Sequence, residues 1–263
     1  MDNTNRFTLM IDALTELAKE EQANHASHKP ETGLPTLSTI LADITPLPDE
    51  ALFLGLAEDG LPVLLNLYDP IPGPILIVGD QACGKTALLQ TIARAVELLH
   101  SPSDVQYCIV TSYPNEWINF QDRESNIGIY TTQDNGAQEL IQSLVEWAHK
   151  NKDDDRTFLL LLDDLEFLTK LDQQTEQSLR WLLLRGTSRR IWPIVTLNAS
   201  RAQNIETWLS FFRTRLFGNI QNLQDTHLVA NASNEILSTL AAGSQFAMRE
   251  GQNWLKFLSP AID

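Results

Sequence analysis

Apolar positions recur along this chain with two periods. Phe7, Met10, Ile11, Leu14, Leu17 and Ala18 follow i, i+3, i+4, i+7 spacing and predict an amphipathic helix over residues 5–22. Residues 24–35 break the pattern with Pro30, Gly33 and Pro35 and read as a linker. Two strand-like stretches, 52–57 and 61–68, flank Glu58-Asp59-Gly60, a hairpin signal. After a proline-rich bridge come short apolar runs at 75–78, 105–111, 127–131, 157–163, 191–197 and 215–220. Helical patterns separate most of them, at 87–99, 135–150, 172–185 and 205–212. Strands alternating with helices predict a mostly parallel sheet covered on both faces. The pattern closes differently, with 244–248 and 254–258 joined by Arg249-Glu250-Gly251 as a terminal hairpin. The expected organisation is an N-terminal helix and linker over 1–36 and one α/β domain over 37–263.

With 263 residues, 43% of them apolar, the chain is long enough for one large core and an appendage. No run approaches the ~18 apolar residues of a membrane helix, and the opening MDNTNRF lacks the basic and apolar regions of a secretory signal. A cytoplasmic location without membrane insertion is the expectation. Two cysteines, Cys83 and Cys108, suggest neither a disulfide framework nor a metal site.

The formal charge of −15 argues against broad adhesion to nucleic acid or acidic membrane. The charge is unevenly spread. Residues 180–215 hold seven of the twelve arginines, no lysine and one acid, Glu206, so this window carries +6 and the remainder −21. Arginine without lysine suits bidentate contact with phosphate or carboxylate. Pairing with acids elsewhere on the surface is the plainer use for any single one.

The chemistry is concentrated in GDQACGKT, residues 79–86, a complete G-x-x-x-x-G-K-T phosphate loop between an apolar strand and a helix. Backbone N–H groups of Gly79, Asp80, Gln81, Ala82, Cys83, Gly84, Lys85, Thr86 and Ala87 are expected to surround the β- and γ-phosphates, aided by the positive end of the helix. Lys85 would neutralise phosphate oxygens, and the Thr86 hydroxyl would reach a magnesium ion. Cys83 reads as a small loop filler, with redox sensitivity as the alternative. Residues 158–164, FLLLLDD, form an apolar strand ending in two carboxylates. Asp163 fits the magnesium partner and Asp164 the group that orients or deprotonates the attacking water. No guanine-reading Asn-Lys-x-Asp is present, which favours ATP. At least one strand intervenes between loop and acid strand, the arrangement of RecA-like motor ATPases.

Over residues 52–259 the chain resembles the FtsK/SpoIIIE/HerA group, especially the ATPase modules of EccC-type type VII secretion proteins. LFLGLAEDGLPVLLNL resembles the family's strand pair before the loop. SPSDVQYCIV and NIGIYTTQDNGAQELIQSLVEWAHK resemble its second and third core segments. LRWLLLRGTSRRIWPIVTLNASRAQNI, FRTRL and LAAGSQFAMREGQNWLKFL are similar to its later strands and closing hairpin. The resemblance implies a RecA-like P-loop NTPase fold with hairpin additions, ATP and Mg2+, and an oligomeric ring or partner modules with ATP held between subunits. It further implies that Arg215 matches the "TRL" arginine and that Arg189 and Arg190 lie near the region serving a neighbour's phosphates.

Departures from the pattern matter too. Asp164 stands where active members carry glutamate, so lengthening it is expected to raise turnover. Leu197 replaces a sensing glutamine and leaves Asn198 as the nearest amide. Thr111-Ser112-Tyr113-Pro114 stands in place of Asp-Pro-Lys. Two readings stay open. One is an ATP-driven motor moving DNA or polypeptide, DNA being disfavoured by charge. The other is a binding module in which ATP closes subunits around one another or around a partner, with hydrolysis slow or absent as in a regulatory or scaffold subunit; ATP binding with weak or partner-dependent hydrolysis is favoured.

Overall fold

The computed structural model describes residues 35–150, 154–166, 171–230, 235–251 and 253–263. The helix expected over 5–22 and its linker up to residue 34 lie outside these residues.

Ten strands form one sheet in the order β2-β1-β10-β9-β8-β3-β7-β6-β4-β5. Six are parallel to one another: β3 (Ile75–Gly79), β4 (Val105–Thr111), β5 (Asn126–Thr131), β6 (Thr157–Asp163), β7 (Ile191–Asn198) and β8 (Thr214–Phe217). The N-terminal hairpin β1 (Ala51–Ala57) and β2 (Pro62–Asn66) and the closing hairpin β9 (Gln245–Glu250) and β10 (Asn253–Leu258) extend it in antiparallel fashion. The two hairpins adjoin, Leu56 pairing with Leu258, while β9 runs against β8.

Every residue of β3 and β6 is buried, which is why Ile75 to Val78 and Phe158 to Leu162 read as unbroken apolar runs; parallel strands covered on both faces have no solvent side to alternate toward. The period of two shows instead in which layer each residue joins. Ile75 and Ile77 pack with Leu88, Leu89, Ile92 and Val96 of helix α2 (Lys85–Leu99), the helix named here after a first helix α1 (Leu37–Ile44). Leu76 and Val78 pack on the other face with Ile141 and Leu144 of α3 (Asn135–Lys150) and with Leu179 of α4 (Gln173–Trp181). The two clusters are the layers predicted to sandwich the sheet.

The strands at 105–111 and 157–163 and the helix at 135–150 have the bounds expected from the pattern. Other segments differ. The helix expected over 172–185 ends at Trp181 and passes into a π-helical turn, Leu182–Gly186, as it meets β7, where a Cβ on Gly186 would lie 2.8 Å from the Ile191 carbonyl oxygen. The strand expected over 215–220 ends at Phe217, because Asn219 leaves the sheet to accept a hydrogen bond from the Asp80 N–H at 2.8 Å. Helix α1 was not anticipated, although Leu37, Ile40, Leu41 and Ile44 repeat at helical spacing. It packs against Phe53 and Ala95, and the Leu37 N–H donates to the Ala261 carbonyl at 2.9 Å.

Candidate functional site

Strand β3 lies where the parallel sheet changes direction of growth, with β7 on one side and β8 on the other. Crevices outside the carboxyl ends of such strands are where open α/β sheets hold ligands. The phosphate loop emerges there.

Two positions in the loop show why its small residues are required. Gly84 has φ +98°, in the left-handed region, and a Cβ on it would lie 2.4 Å from the Gly243 carbonyl oxygen. Gly79 has the Cys83 sulfur where its own Cβ would point, 2.5 Å away. Cys83 is therefore a buried plug, closed in by Gly79 and Gly218, and burial pushes its thiol pKa up against the opposing influence of Lys85. The redox alternative has no support in that setting, since a raised pKa leaves little thiolate.

Opposite the loop, Asp163 closes β6. Its carboxylate accepts from four side chains: Thr86 (3.1 Å to Oδ1), Thr196 (3.1 Å), Thr111 (3.4 Å) and the Trp117 indole (3.4 Å). Only 6% of Asp163 is exposed. Burial raises its carboxyl pKa above the usual range, and hydrogen bonds from Thr196, Thr86, Trp117 and Thr111 pull it down. Thr196 also accepts from the Asp164 N–H at 2.8 Å, so one hydroxyl links both acids. Asp164 itself has φ +97°, and its Oδ1 accepts from the Glu166 N–H at 2.9 Å, closing a turn on itself.

Lys85, Thr86, Gln81, Ala82, Asp163, Asp164, Thr196 and Asn198 line one cleft of about 240 Å³. The Lys85 ammonium donates to the carbonyls of Gly79 (3.1 Å) and Asp80 (2.6 Å). Asn198 Oδ1 accepts from the Ser200 hydroxyl at 3.2 Å, which leaves the amide nitrogen unengaged among the described residues. Leu197 is wholly buried in the core layer and does not line the cleft.

Four cleft residues were not singled out from the sequence as site groups: Thr196 in β7, Tyr113 and Glu116 from the segment after β4, and Arg201 from the turn after β7. Arg201 is ion-paired with Glu166. Glu116 has its carboxyl pKa raised by partial burial and by the neighbouring Asp163. The available signal was register: Thr111 is the direct partner of Asp163 across β4 and β6, so the residues just after Thr111 must emerge beside the acid.

The remaining arginines are elsewhere. Arg189 and Arg190 precede β7, at the end opposite Asn198, about 25 Å away along an eight-residue strand. Arg190 stacks on Tyr68 (4.2 Å) and pairs with Asp155 (3.2 Å). Arg215, opposite Leu76 in register, donates to the carbonyls of Phe212 (3.1 Å), Leu209 (2.6 Å) and Val229. Arg180 pairs with Glu176 (2.9 Å) and lies over Trp208 (4.5 Å). Within this chain the +6 window thus sends only Arg201 to the cleft.

Several solved structures share the fold. The cytoplasmic domain of the Thermomonospora curvata type VII secretion ATPase EccC superposes with TM-score 0.66 at 14% identity, over 88% of this chain and 32% of that one. EssC (ATPases 2 and 3) from Geobacillus thermodenitrificans gives 0.67 at 14%, over 81% and 45%. This chain has the fold of the EccC-type ATPase modules. The pCW3 conjugation coupling protein TcpA, in its monomer form with ATPγS, shares that EccC-like fold with TM-score 0.65 at 15% identity, over 89% of this chain and 71% of TcpA. The chain spans about a third to a half of the EccC and EssC chains it matches. No family model matches it, nor does any curated protein sequence. Among the described residues no helix is long and apolar enough to cross a membrane.

A divalent cation fits the donors present. Thr86 and Asp163 offer a hydroxyl and a carboxylate 3.1 Å apart, the hard oxygen ligands magnesium takes alongside phosphate and water. Among the described residues no group of three or more His, Cys, Asp or Glu gathers to form an all-protein metal cage. The ion would depend on the nucleotide for its other ligands.

Proposed function

We propose that this chain is an ATP-binding, FtsK/EccC-like P-loop module that hydrolyses ATP slowly unless a neighbouring subunit or partner completes the site. The observation that carries the reading is the juxtaposition of Lys85 and Thr86 with Asp163 across one cleft, from segments 77 residues apart. The β- and γ-phosphates would lie on the loop amides and be neutralised by Lys85 once it exchanges the Gly79 and Asp80 carbonyls for phosphate oxygens. Thr86 and Asp163 would hold magnesium, which neutralises phosphate charge when bound.

Slow unaided turnover is supported by the arginine placement. The cleft holds one guanidinium of its own, Arg201, already paired with Glu166, whereas arginine stabilisation of the transferring phosphoryl group is worth about 10³-fold or more. Arg189 and Arg190 reach phosphate only if another copy or a related module presents its cleft to the far edge of this sheet. That requirement favours a ring or a partner assembly over a lone catalyst.

The test is ATP turnover of the wild type and Lys85→Ala across a range of protein concentrations, with and without duplex DNA. Tight ATP binding with turnover rising with concentration supports this reading. Brisk, concentration-independent, DNA-stimulated turnover refutes it in favour of a motor.

A further inference from the structure

We propose that Glu116, rather than Asp164, is the carboxylate that orients the attacking water, an inference that rests on the cleft being an ATP site. Asp164 is poorly placed for the task. Its left-handed backbone, its N–H on Thr196 and its Oδ1 on the Glu166 N–H fix the carboxylate in a turn that already uses one of its oxygens. Rotating it toward a water would break that turn.

Glu116 has the opposite character. It lines the same cleft as Lys85, Thr86 and Asp163 but comes from the wall formed by the 3₁₀ segment Pro114–Phe120. That wall is pinned from three sides. The Gln90 amide of α2 donates to the Glu116 carbonyl at 2.8 Å, the Glu116 N–H donates to the Tyr113 carbonyl at 3.0 Å, and the next side chain, Trp117, is buried and donates to Asp163. Among the described residues the Glu116 carboxylate enters no hydrogen bond or ion pair, so both its oxygens are available. A fixed backbone carrying an unengaged carboxylate into the cleft that Thr86 and Asp163 also line is what water orientation requires.

In the step, the water oxygen bonds to the γ-phosphorus while the bond from that phosphorus to the β,γ-bridging oxygen breaks. The bridging oxygen keeps the electron pair and leaves on ADP, and the proton lost by the water passes to Glu116 and on to solvent.

The test compares wild type, Glu116→Gln and Asp164→Asn for ATP turnover and for the affinities of ATP and ADP, each with magnesium. Asparagine keeps an oxygen for the Glu166 N–H, so it isolates the charge of Asp164. Glu116→Gln should lower turnover about 100-fold or more. It should also shift the ATP-over-ADP preference toward ATP about threefold, because a carboxylate facing the terminal phosphate repels it. The Asp164→Asn loss should be at least tenfold smaller. An unchanged nucleotide preference in Glu116→Gln, or an Asp164→Asn loss equal to or larger than that of Glu116→Gln, overturns the assignment even if wild-type turnover is too slow to measure. Absence of nucleotide binding by the wild type would overturn the ATP reading and this inference together.

Discussion

The backbones of Gly84 and Gly243 meet face to face, the Gly243 N–H donating to the Cys83 carbonyl at 3.0 Å beside the point where a Gly84 side chain would begin. The phosphate loop is therefore braced by the segment that leads into the closing hairpin. Its shape depends on residues 160 positions downstream as well as on its own glycines.

Gly84→Ala is expected to cost about 2 kcal/mol or more, combining a strained positive φ with a Cβ 2.4 Å from backbone oxygen. Thermal unfolding should report a lower midpoint, and ATP affinity should fall further than stability alone explains. A second change, Gly243→Ala, offers no relief, since Gly243 also has positive φ, at +97°. A double variant as stable as wild type would contradict the account.

Asp163→Asn should separate binding from stability. Because burial raises the Asp163 pKa in the folded state, the fold holds this proton more tightly than the unfolded chain does. Whatever stability the group lends is present below the unfolded carboxyl pKa and is lost as pH rises through the raised value. At neutral pH the ionised acid is a burden that asparagine removes. The variant should unfold at an equal or higher temperature at pH 7 while losing magnesium-dependent ATP affinity by tenfold or more. A clear fall in the unfolding temperature would argue against it.

His100 gives the opposite sign. Its Nε2–H donates to the Ala51 carbonyl at 3.0 Å, and burial lowers its pKa despite that bond and the nearby Asp104 and Asp49. The neutral ring is the one the fold accepts. Its contribution is complete above the unfolded histidine pKa, about 6.5, and is lost as pH falls through the lower folded value. Between pH 7 and pH 5 the unfolding temperature of wild type should drop more than that of His100→Gln; parallel curves would remove His100 as the cause.

Arg215→Lys should destabilise the fold by about 2 kcal/mol, because one ammonium cannot reproduce a guanidinium fork spread over the carbonyls of Phe212, Leu209 and Val229. The loss should appear in denaturant unfolding at every protein concentration. A variant of unchanged stability whose turnover falls only at high concentration would instead give Arg215 a role in a neighbour's site.

Asp164→Glu is expected to leave turnover unchanged or lower. The sequence alone points the other way, toward a side chain one methylene too short. In the structure that shortness closes the hydrogen bond to the Glu166 N–H and suits the left-handed backbone at 164, where the longer glutamate has no equivalent turn. A rise of tenfold in ATP turnover would restore the simpler explanation.

Much of the architecture was readable because local pattern and final environment agree. The middle of β6, Phe158 to Leu162, is apolar throughout because it is buried on both faces, and GDQACGKT carries its own strand and helix with it. Helix α1 was legible in principle from Leu37, Ile40, Leu41 and Ile44, but the short repeat beside proline-rich sequence was obscured by its surroundings. The cleft was harder for a different reason. Glu116, Trp117 and Thr111 reach Asp163 only because β4 lies next to β6, and Arg201 only because β7 lies between β6 and β3. Neighbourhood in a sheet is set by strand order, which no spacing along the chain encodes. The arginine window misled in the same way: residues adjacent in sequence were divided between opposite ends of β7.

The side-by-side placement of the two hairpins also sets an order of events during synthesis. Leu56 and Ala57 of β1 have Leu258 and Phe257 of β10 as their partners, and β1 joins the rest of the sheet through that pairing alone. While the parallel strands assemble, an emerging chain therefore holds its first hairpin only through packing on α2 and the His100–Ala51 bond, with no strand partner outside the hairpin, until β9 and β10 are made. The brace on the phosphate loop at Gly243 arrives in the same late stretch, so a ribosome-held intermediate lacking that stretch would contain the whole loop sequence without the support that shapes it.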